Sequence, residues 1–450
     1  MTRRTLLSLP VAAASQAQRP SHPNVIVLLA DDLGWADVGL HGGDIRTPNI
    51  DGLARDGMQL DRFYSCPVCS PTRSALMTGR WPMRLGTGYT VVRPWEDYGL
   101  PLDEHLMPQS FQGAGYRTAM AGKWHLGHSR RAYFPGARGF DSSYGHLNGA
   151  IDYFTHEREG GLDWHRDGKT LEEPGYSTEL IGAEAVRRIR QRDKKKPLFL
   201  YVPFNAPHSP LQAPQALIDR YATVKDDRRR VFSAMVDAMD QQVGAILKAL
   251  DDEKIARETI VLFFSDNGGP TNFGARNTPL RGAKATVFEG GIRVPAVLRW
   301  PGKVKPGTKS TQVMTAWDVF PTLAAAAGVK PAGKLALDGE NLWTNLTAGR
   351  SAPREEILFA IENNQHTQYT VIHHEWKLVR DNDGRSLLFN LEADPSEKND
   401  LAAAHPQRVR GLAARIDRWR ALQPPYGMRA TTNPPANWRG PKRWADNAPR

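Results

Sequence analysis

After Asn24 the chain reads Val-Ile-Val-Leu-Leu-Ala and then stops at Asp31-Asp32. A run that is apolar at every position, rather than at alternate ones, predicts a strand buried on both faces, as in a parallel sheet. The pattern returns at 259–265, Thr-Ile-Val-Leu-Phe-Phe-Ser, and again ends in oxygen-bearing groups, Asp266-Asn267-Gly268-Gly269. Two further runs, 118–122 and 198–204, lead into Lys123-Trp124-His125 and Asn205-Ala206-Pro207-His208. The intervals between them carry helical periodicity, which predicts helices over 179–192, 227–250 and 317–327. In 227–250, Phe232, Met235, Val236, Met239, Val243, Ile246, Leu247 and Leu250 recur at helical spacing, which core packing explains without a functional reading. Strands alternating with helices predict an α/β fold with a large, mostly parallel central sheet covered by helices on both faces.

Past position 345 the pattern shortens. Runs at 356–361, 370–374, 376–380 and 387–391 are separated by turn residues such as Asp381-Asn382-Asp383-Gly384, and a basic amphipathic stretch follows at 406–422. This predicts a small antiparallel sheet with one helix packed on it. From Gln423 onward the chain is rich in proline, asparagine and tryptophan and has no period, so it is expected to be irregular. At the other end, Arg3-Arg4, a short apolar run and small residues at Ser15-Gln16-Ala17 have the form of an export signal with twin-arginine character. Ser8 and Pro10 interrupt that run, which is too short to span a bilayer, so a periplasmic or extracellular protein without stable membrane insertion is expected. The chain thus divides into an export signal (1–20), a catalytic α/β domain (21–345), an α+β subdomain (346–422) and a tail (423–450).

Lysine and arginine number 59 against 48 aspartates and glutamates, a formal charge of +11. That excess suits an anionic substrate, a nucleic acid or an anionic surface and does not choose among them. The chain has two cysteines, Cys66 and Cys69, so no disulfide framework holds the fold. A zinc site would need two further ligands at compatible spacing, and there is no second cysteine pair to supply them.

The chemistry converges on 66–80. Ser70 as N-cap, Pro71 in the first turn and Gly79 at the far end predict a short helix with Cys69 at its mouth, beside free backbone N–H groups and the positive end of the dipole. Arg73 comes one turn after Ser70 and can lean back to the same place. Asp31, Asp32, Asp266 and Asn267, at two strand ends, form an oxygen-only set that favours calcium or magnesium over zinc. The cations Arg73, Lys123 and Lys284 and the histidines His125 and His208 fall on neighbouring loops of the same sheet edge. A metal and three cations beside a helix N-terminus suit a tetrahedral oxyanion such as a sulfate or phosphate ester.

The stretch Cys69-Ser-Pro-Thr-Arg73-Ser-Ala-Leu-Met-Thr78-Gly79-Arg80 resembles the signature of the type I sulfatases, formylglycine-dependent members of the alkaline phosphatase superfamily. Asp31-Asp32-Leu-Gly-Trp, Thr47-Pro-Asn-Ile-Asp, Gly122-Lys-Trp-His-Leu-Gly127, Pro207-His208 and Ser265-Asp-Asn-Gly-Gly269 resemble further blocks of that family in the same order. The resemblance implies that Cys69 is converted to formylglycine by a formylglycine-generating enzyme, and that Asp31, Asp32, Asp266, Asn267 and the modified Cys69 hold one calcium ion. It implies a hydrated aldehyde as nucleophile, with Arg73 and Lys123 stabilising the diol, His125 accepting its proton, and His208 and Lys284 binding the sulfate oxygens. Arg138-Gly-Phe-Asp-Ser-Ser-Tyr-Gly-His146, Asp152-Tyr-Phe-Thr-His-Glu157 and Glu289-Gly-Gly-Ile-Arg293 look like the arylsulfatase B type, which acts on N-acetylgalactosamine 4-sulfate. The partner so implied is a sulfated small molecule or glycan and not nucleic acid. A phosphoester or phosphonate hydrolase on the same fold and an inert polyanion-binding protein are the alternative readings. Cys66 is expected to remain a free thiol, since pairing with Cys69 would prevent the nucleophile from forming.

Overall fold

In the computed structural model, which describes residues 22–363, 366–431 and 433–449, the apolar runs lie side by side. The export signal expected at 1–20 lies outside the described residues. Five parallel strands form the middle of the main sheet: β1 (Asn24–Ala30), β2 (Arg117–Lys123), β3 (Ser142–His146), β4 (Leu198–Pro203) and β5 (Thr259–Ser265), in the spatial order β5-β1-β4-β2-β3. Beyond β5 lie Ala296–Arg299 and Met58–Leu60, each antiparallel to its inner neighbour, and then Thr308–Ser310. Beyond β3, the short strands His165–Arg166 and Lys169–Thr170 bring the sheet to ten strands.

Every residue of β1 and β5 is buried, which is why their sequences show no alternation. The two faces still separate with period two. Val25, Val27 and Leu29 enter one core with Leu76, Met77, Phe320 and Leu323, whereas Ile26, Leu28 and Ala30 enter the other with Ile181, Val236, Met239 and Val243. The helices supplying these partners are α1 (Cys69–Thr78), α2 (Ser177–Arg190), α3 (Asp227–Asp252) and α4 (Val319–Ala327). Three bounds differ from the periodicity: α2 lies two residues earlier than 179–192, α3 runs on to Asp252, and the start of 317–327 is a 3-10 turn, Ala316–Asp318, ahead of α4.

The C-terminal sheet is antiparallel, β6 (Ile357–Asn363), β7 (His366–His373), β8 (Trp376–Asp381) and β9 (Ser386–Asn390) in sequential order. Helix α5 (Pro406–Arg420) covers one face, setting Leu412, Ile416 and Trp419 against Leu358, Tyr369, Val371 and Leu378. The other face, through Ile357, Phe359, Ile372 and Phe389, joins the same core as α1 and α4. The chain beyond Gln423 runs over the larger domain: Met428 N–H donates to Gly86 O at 2.8 Å, and Leu162 N–H donates to Lys442 O at 3.0 Å. It also contains one short helix, Trp444–Asn447, that its composition did not announce. Among the described residues no helix is long and apolar enough to cross a membrane.

Candidate active site

Because β1, β2, β4 and β5 are parallel, their C-terminal ends open on one edge, and the loops after them carry the candidate residues to one place. The strand ends are tied together by backbone: Asp31 N–H donates to Ala206 O at 3.1 Å and Asp266 N–H to Ala30 O at 3.0 Å. Two of these loops turn through a left-handed residue that is not glycine, Asp32 at φ 75° and His125 at φ 60°. Such conformations cost roughly 1–3 kcal/mol each and persist where the surroundings enforce them.

Helix α1 begins at Cys69 itself, so its first N–H groups have no partner within the helix. Ser70 is not the N-cap; Val68 holds that position, without a side-chain cap. The Ser70 hydroxyl is used elsewhere, donating to His125 O at 3.0 Å and accepting from Val92 N–H at 3.0 Å, so it ties the helix to two active-site loops. Arg73 leans back into the carboxylates beside Cys69. Its Nε and Nη2 donate to Asp266 Oδ2 at 3.0 and 2.8 Å, its Nη1 donates to Lys123 O at 2.9 Å, and Asp31 Oδ2 lies 3.5 Å from Nη2. All ten residues of α1 are buried, and Gly79 closes it at φ 68°.

The carboxylates are buried among cations. Lys123 Nζ donates to Asp31 Oδ2 at 2.5 Å, and Lys284 Nζ lies 2.6 and 2.8 Å from the two oxygens of Asp32. Asn267 Nδ2 donates to Asp32 Oδ1 at 2.7 Å. Burial opposes ionisation of Asp32, but Lys284 and His208 together with these hydrogen bonds outweigh it and hold its carboxyl at about 2. Asp266 goes the other way: burial and the neighbouring Asp31 charge raise it, against Arg73 and Lys123. The Cys69 Sγ lies 3.4 Å from Asp31 Oδ1 and 3.8 Å from Lys284 Nζ. Burial, then the charges of Asp266 and Asp31, push its thiol well above the usual range, so a cysteine here is a poor thiolate nucleophile. Cys66 is a free, buried thiol as well, raised to about 12 by its burial.

A divalent cation fits this donor set. Ligand atoms of Asp31, Asp32, Cys69 and His208 all lie within 4.8 Å of one another. Asn267 Oδ1 is buried with no hydrogen-bond partner, and an orphaned amide oxygen among crowded carboxylates suits a hard, oxygen-seeking ion. The clustering of the described residues includes His208 through ligand geometry, a residue that sequence reasoning assigned to sulfate rather than metal.

The histidines are neutral. His125 Nε2 donates to Val92 O at 2.9 Å, which leaves the buried Nδ1 as a free acceptor without a partner. Burial, then Lys123 and Arg73, hold its pKa well below the ordinary value. His208 donates from Nδ1 to Ser209 O at 2.6 Å and turns Nε2 towards Asp32 at 3.7 Å; burial and then Lys284 bring it to about 3. Tyr153, absent from the expected set, fixes this loop by hydrogen bonding to Asn205 O at 2.6 Å and His208 O at 2.7 Å. In the sequence, only its place in the 152–157 stretch that looks like the arylsulfatase B type points to it.

Known proteins resemble this chain along most of its length. The family described as Sulfatase matches residues 23–329, and the family described as N-sulphoglucosamine sulphohydrolase, C-terminal, matches residues 283–418. Arylsulfatase J of Mus musculus is 33% identical over 453 residues, covering 89% of this chain and 76% of that protein. N-acetylgalactosamine-6-sulfatase of Homo sapiens is 32% identical over 446 residues, covering 88% of this chain and 84% of that protein. A crystal structure of Ps i-CgsB in complex with k-i-k-neocarrahexaose superposes with a TM-score of 0.85 at 32% identity, covering 90% of this chain and 94% of that one.

Proposed function

Since this chain belongs to the sulfatase family and is a sulfuric ester hydrolase, we propose that it removes sulfate from a sulfated carbohydrate of the N-acetylgalactosamine 4-sulfate kind. The nucleophile is derived from Cys69, and the observation that carries this is the position of its sulfur, buried between Asp31 and Lys284 where a thiolate is disfavoured. A formylglycine at this position, made by a formylglycine-generating enzyme, supplies as its hydrate one hydroxyl to attack sulfur and a second whose proton must leave for sulfate to be released. Asp31, Asp32, Asp266, Asn267 and the modified Cys69 would hold one calcium ion, which supplies positive charge beside the oxyanion.

The chain's own groups then have distinct tasks. Arg73 locks Asp266 through two donors and, with Lys123 on Asp31, holds two crowded carboxylates in place beside the diol, where both cations stabilise it. His125 presents the free Nδ1 of a neutral imidazole, a base able to accept the proton of the second hydroxyl. Lys284 reaches between Asp32 and Cys69 and stabilises the negative charge on sulfate oxygens. His208 lies against Asp32 at the edge of the same space and lines the position of the leaving oxygen. A sugar substrate is supported by the relatives, one named for N-acetylgalactosamine 6-sulfate and one crystallised with a neocarrahexaose. The charge of +11 suits a sulfated glycan, and the twin-arginine-like start suits export.

The test pairs mass spectrometry of the Cys69 peptide, from protein made with a formylglycine-generating enzyme, with rates on N-acetylgalactosamine 4-sulfate, the 6-sulfate, an aryl sulfate and an aryl phosphate. Expected are formylglycine at Cys69 and sulfate release, with the 4-sulfate ahead of the 6-sulfate. An unmodified Cys69 under those conditions removes the nucleophile, and a faster phosphate rate makes the protein a phosphoester hydrolase.

A further inference from the structure

Two arginines, Arg93 and Arg158, keep an Nε that is buried without a hydrogen-bond partner. Val92 is pinned on both sides, its N–H donating to Ser70 Oγ at 3.0 Å and its carbonyl accepting from His125 Nε2 at 2.9 Å. Arg93 therefore leaves the backbone directly beside the mouth of α1. Its Nε is buried with no hydrogen-bond partner, and among the described residues it has no ion-pair partner. The nearby Glu96 uses its carboxylate to accept from Thr431 Oγ1 at 2.8 Å. Arg158 stands on the short hairpin Glu157–Arg158 and Gly161–Leu162, held where its carbonyl accepts from Trp444 Nε1 at 2.9 Å. Its Nε is likewise buried and unpartnered, and only a terminal nitrogen pairs, with Glu159 at 3.1 Å.

The two guanidinium groups lie in each other's field. A short chain of contacts joins them: Pro94 O, next to Arg93, accepts from His128 Nε2 at 3.0 Å, the His128 ring meets Trp444 edge to face at 5.1 Å, and Trp444 is the residue that donates to Arg158 O. In keeping with this, burial and then the charge of Arg158 lower the Arg93 pKa, with Glu96 acting in the opposite sense. Two like charges brought together in a half-buried place, with donors unspent, form a site that an anion would complete. Arginine suits such a site because its planar fork matches the oxygens of sulfate and carboxylate.

Resting on the reading that Cys69 carries the hydrolysis, we propose that Arg93 and Arg158 form a second anion subsite, which takes a further sulfate or carboxylate group of the same glycan. The substrate is then an oligosaccharide with at least two anionic groups, one hydrolysed and one held. The space beyond is built for the rest of a sugar chain: Trp95, two residues after Arg93, forms with Trp438, Trp444 and Arg439 part of a cleft of about 420 Å³. Trp95 and Trp438 meet edge to face at 6.0 Å, so the two indoles brace each other along the lining of this cleft.

Binding to the full-length Cys69→Ala protein tests this apart from turnover. Calorimetry would compare three disaccharides bearing one N-acetylgalactosamine 4-sulfate: a neutral neighbour, a sulfated neighbour and a uronate neighbour. The sulfated or the uronate compound, or both, should bind about 10- to 100-fold more tightly than the neutral one, the size expected for one charge-assisted hydrogen-bonded group. The arm that shows the preference identifies which oxyanion the subsite takes. In the same background Arg93→Gln and Arg158→Gln should each reduce that preference at least several-fold, and Arg93→Lys, which keeps charge and bulk, should retain part of it. Equal affinity for all three compounds, or a preference that survives both glutamine variants, overturns the proposal. Failure of the unmutated protein to release sulfate would instead count against the role of Cys69, a result read in a separate assay.

Discussion

Lys377, on a strand of the C-terminal sheet, places its Nζ 3.0 Å from Glu289 Oε1, and both side chains are fully buried. A second carboxylate, Glu397, lies 2.8 Å from the same ammonium and accepts from Glu289 N–H at 2.7 Å. Arg281 donates to Glu397 O at 2.8 Å. The C-terminal subdomain thus grips both ends of the 281–289 loop, whose middle carries Lys284. Lys377→Met should leave two buried carboxylates without their cation, costing about 3–5 kcal/mol. The expected readout is a lower melting temperature together with loss of sulfate release, partly recovered in a Lys377→Met/Glu397→Gln double variant. A Lys377→Met protein with unchanged melting and activity would show that the cluster does not position the loop.

The oxygen cluster predicts a ligand-linked stability. Calcium at about 100 times its Kd should stabilise the fold by about 2.7 kcal/mol, because it binds the folded and not the unfolded chain. Melting curves with excess calcium and after chelation should differ for the unmutated protein and coincide for Asp31→Ala. Equal curves for the unmutated protein would argue against a cation held by Asp31, Asp32, Asp266 and Asn267.

Acid should weaken the fold through its buried histidines. His128 and His165 are buried and neutral, each brought by that burial to about 4 from an ordinary value of 6.5. Between those limits the unfolded chain binds more protons than the folded one, so stability rises with pH through the window from 4 to 6.5 and is lost as pH falls through it. Each histidine contributes up to about 3 kcal/mol of this dependence. The melting temperature should drop steadily from pH 7 to 4.5. His128→Gln, which can still donate to Pro94 O, and His165→Asn, which can still accept from Gly168 N–H, should each flatten the curve. A slope that neither substitution changes would assign the acid sensitivity to other groups.

Gly149 is predicted to set the position of His125. A Cβ at residue 149 would stand 2.4 Å from Cε1 and 2.5 Å from Nε2 of the imidazole, so the ring must shift. Displacing a proton acceptor by an ångström typically costs about 100-fold in rate. Gly149→Ala should therefore lose activity on the order of 100-fold in kcat while its melting temperature changes little. Full activity in that variant would remove His125 from the proton transfer.

How much of this could be read in advance follows from how each element gains its order. β1 and β5 were legible because burial on both faces writes itself as an unbroken apolar run, and the acids at their ends inherit a shared edge from parallel pairing. β3 was not, since Ser142-Ser-Tyr-Gly-His is mostly polar or glycine and owes its place to β2 alongside it. Ser70 has the chemistry of an N-cap, but a competing carbonyl, that of His125, draws its hydroxyl away from the helix. Lys377 sits in a strand-like run as an ordinary alternating residue, and nothing nearby in the chain announces its acidic partners at 289 and 397. Arg93 was invisible for the same reason: its importance arises from two long-range hydrogen bonds made by the residue before it.

The complete burial of α1 fixes an order of events. An enzyme that converts Cys69 must grip the residues around it, Pro71 and Arg73 included, and in the finished fold none of them reaches the surface. The conversion proposed for Cys69 would therefore have to precede folding, and folding would then seal whatever state the residue has. Protein folded with a plain thiol should stay inactive when the modifying enzyme is added later, and should become a substrate for it only after unfolding. On the proposed reading, maturation is a race between a catalyst and the collapse of a core, with its result stored for the life of the molecule.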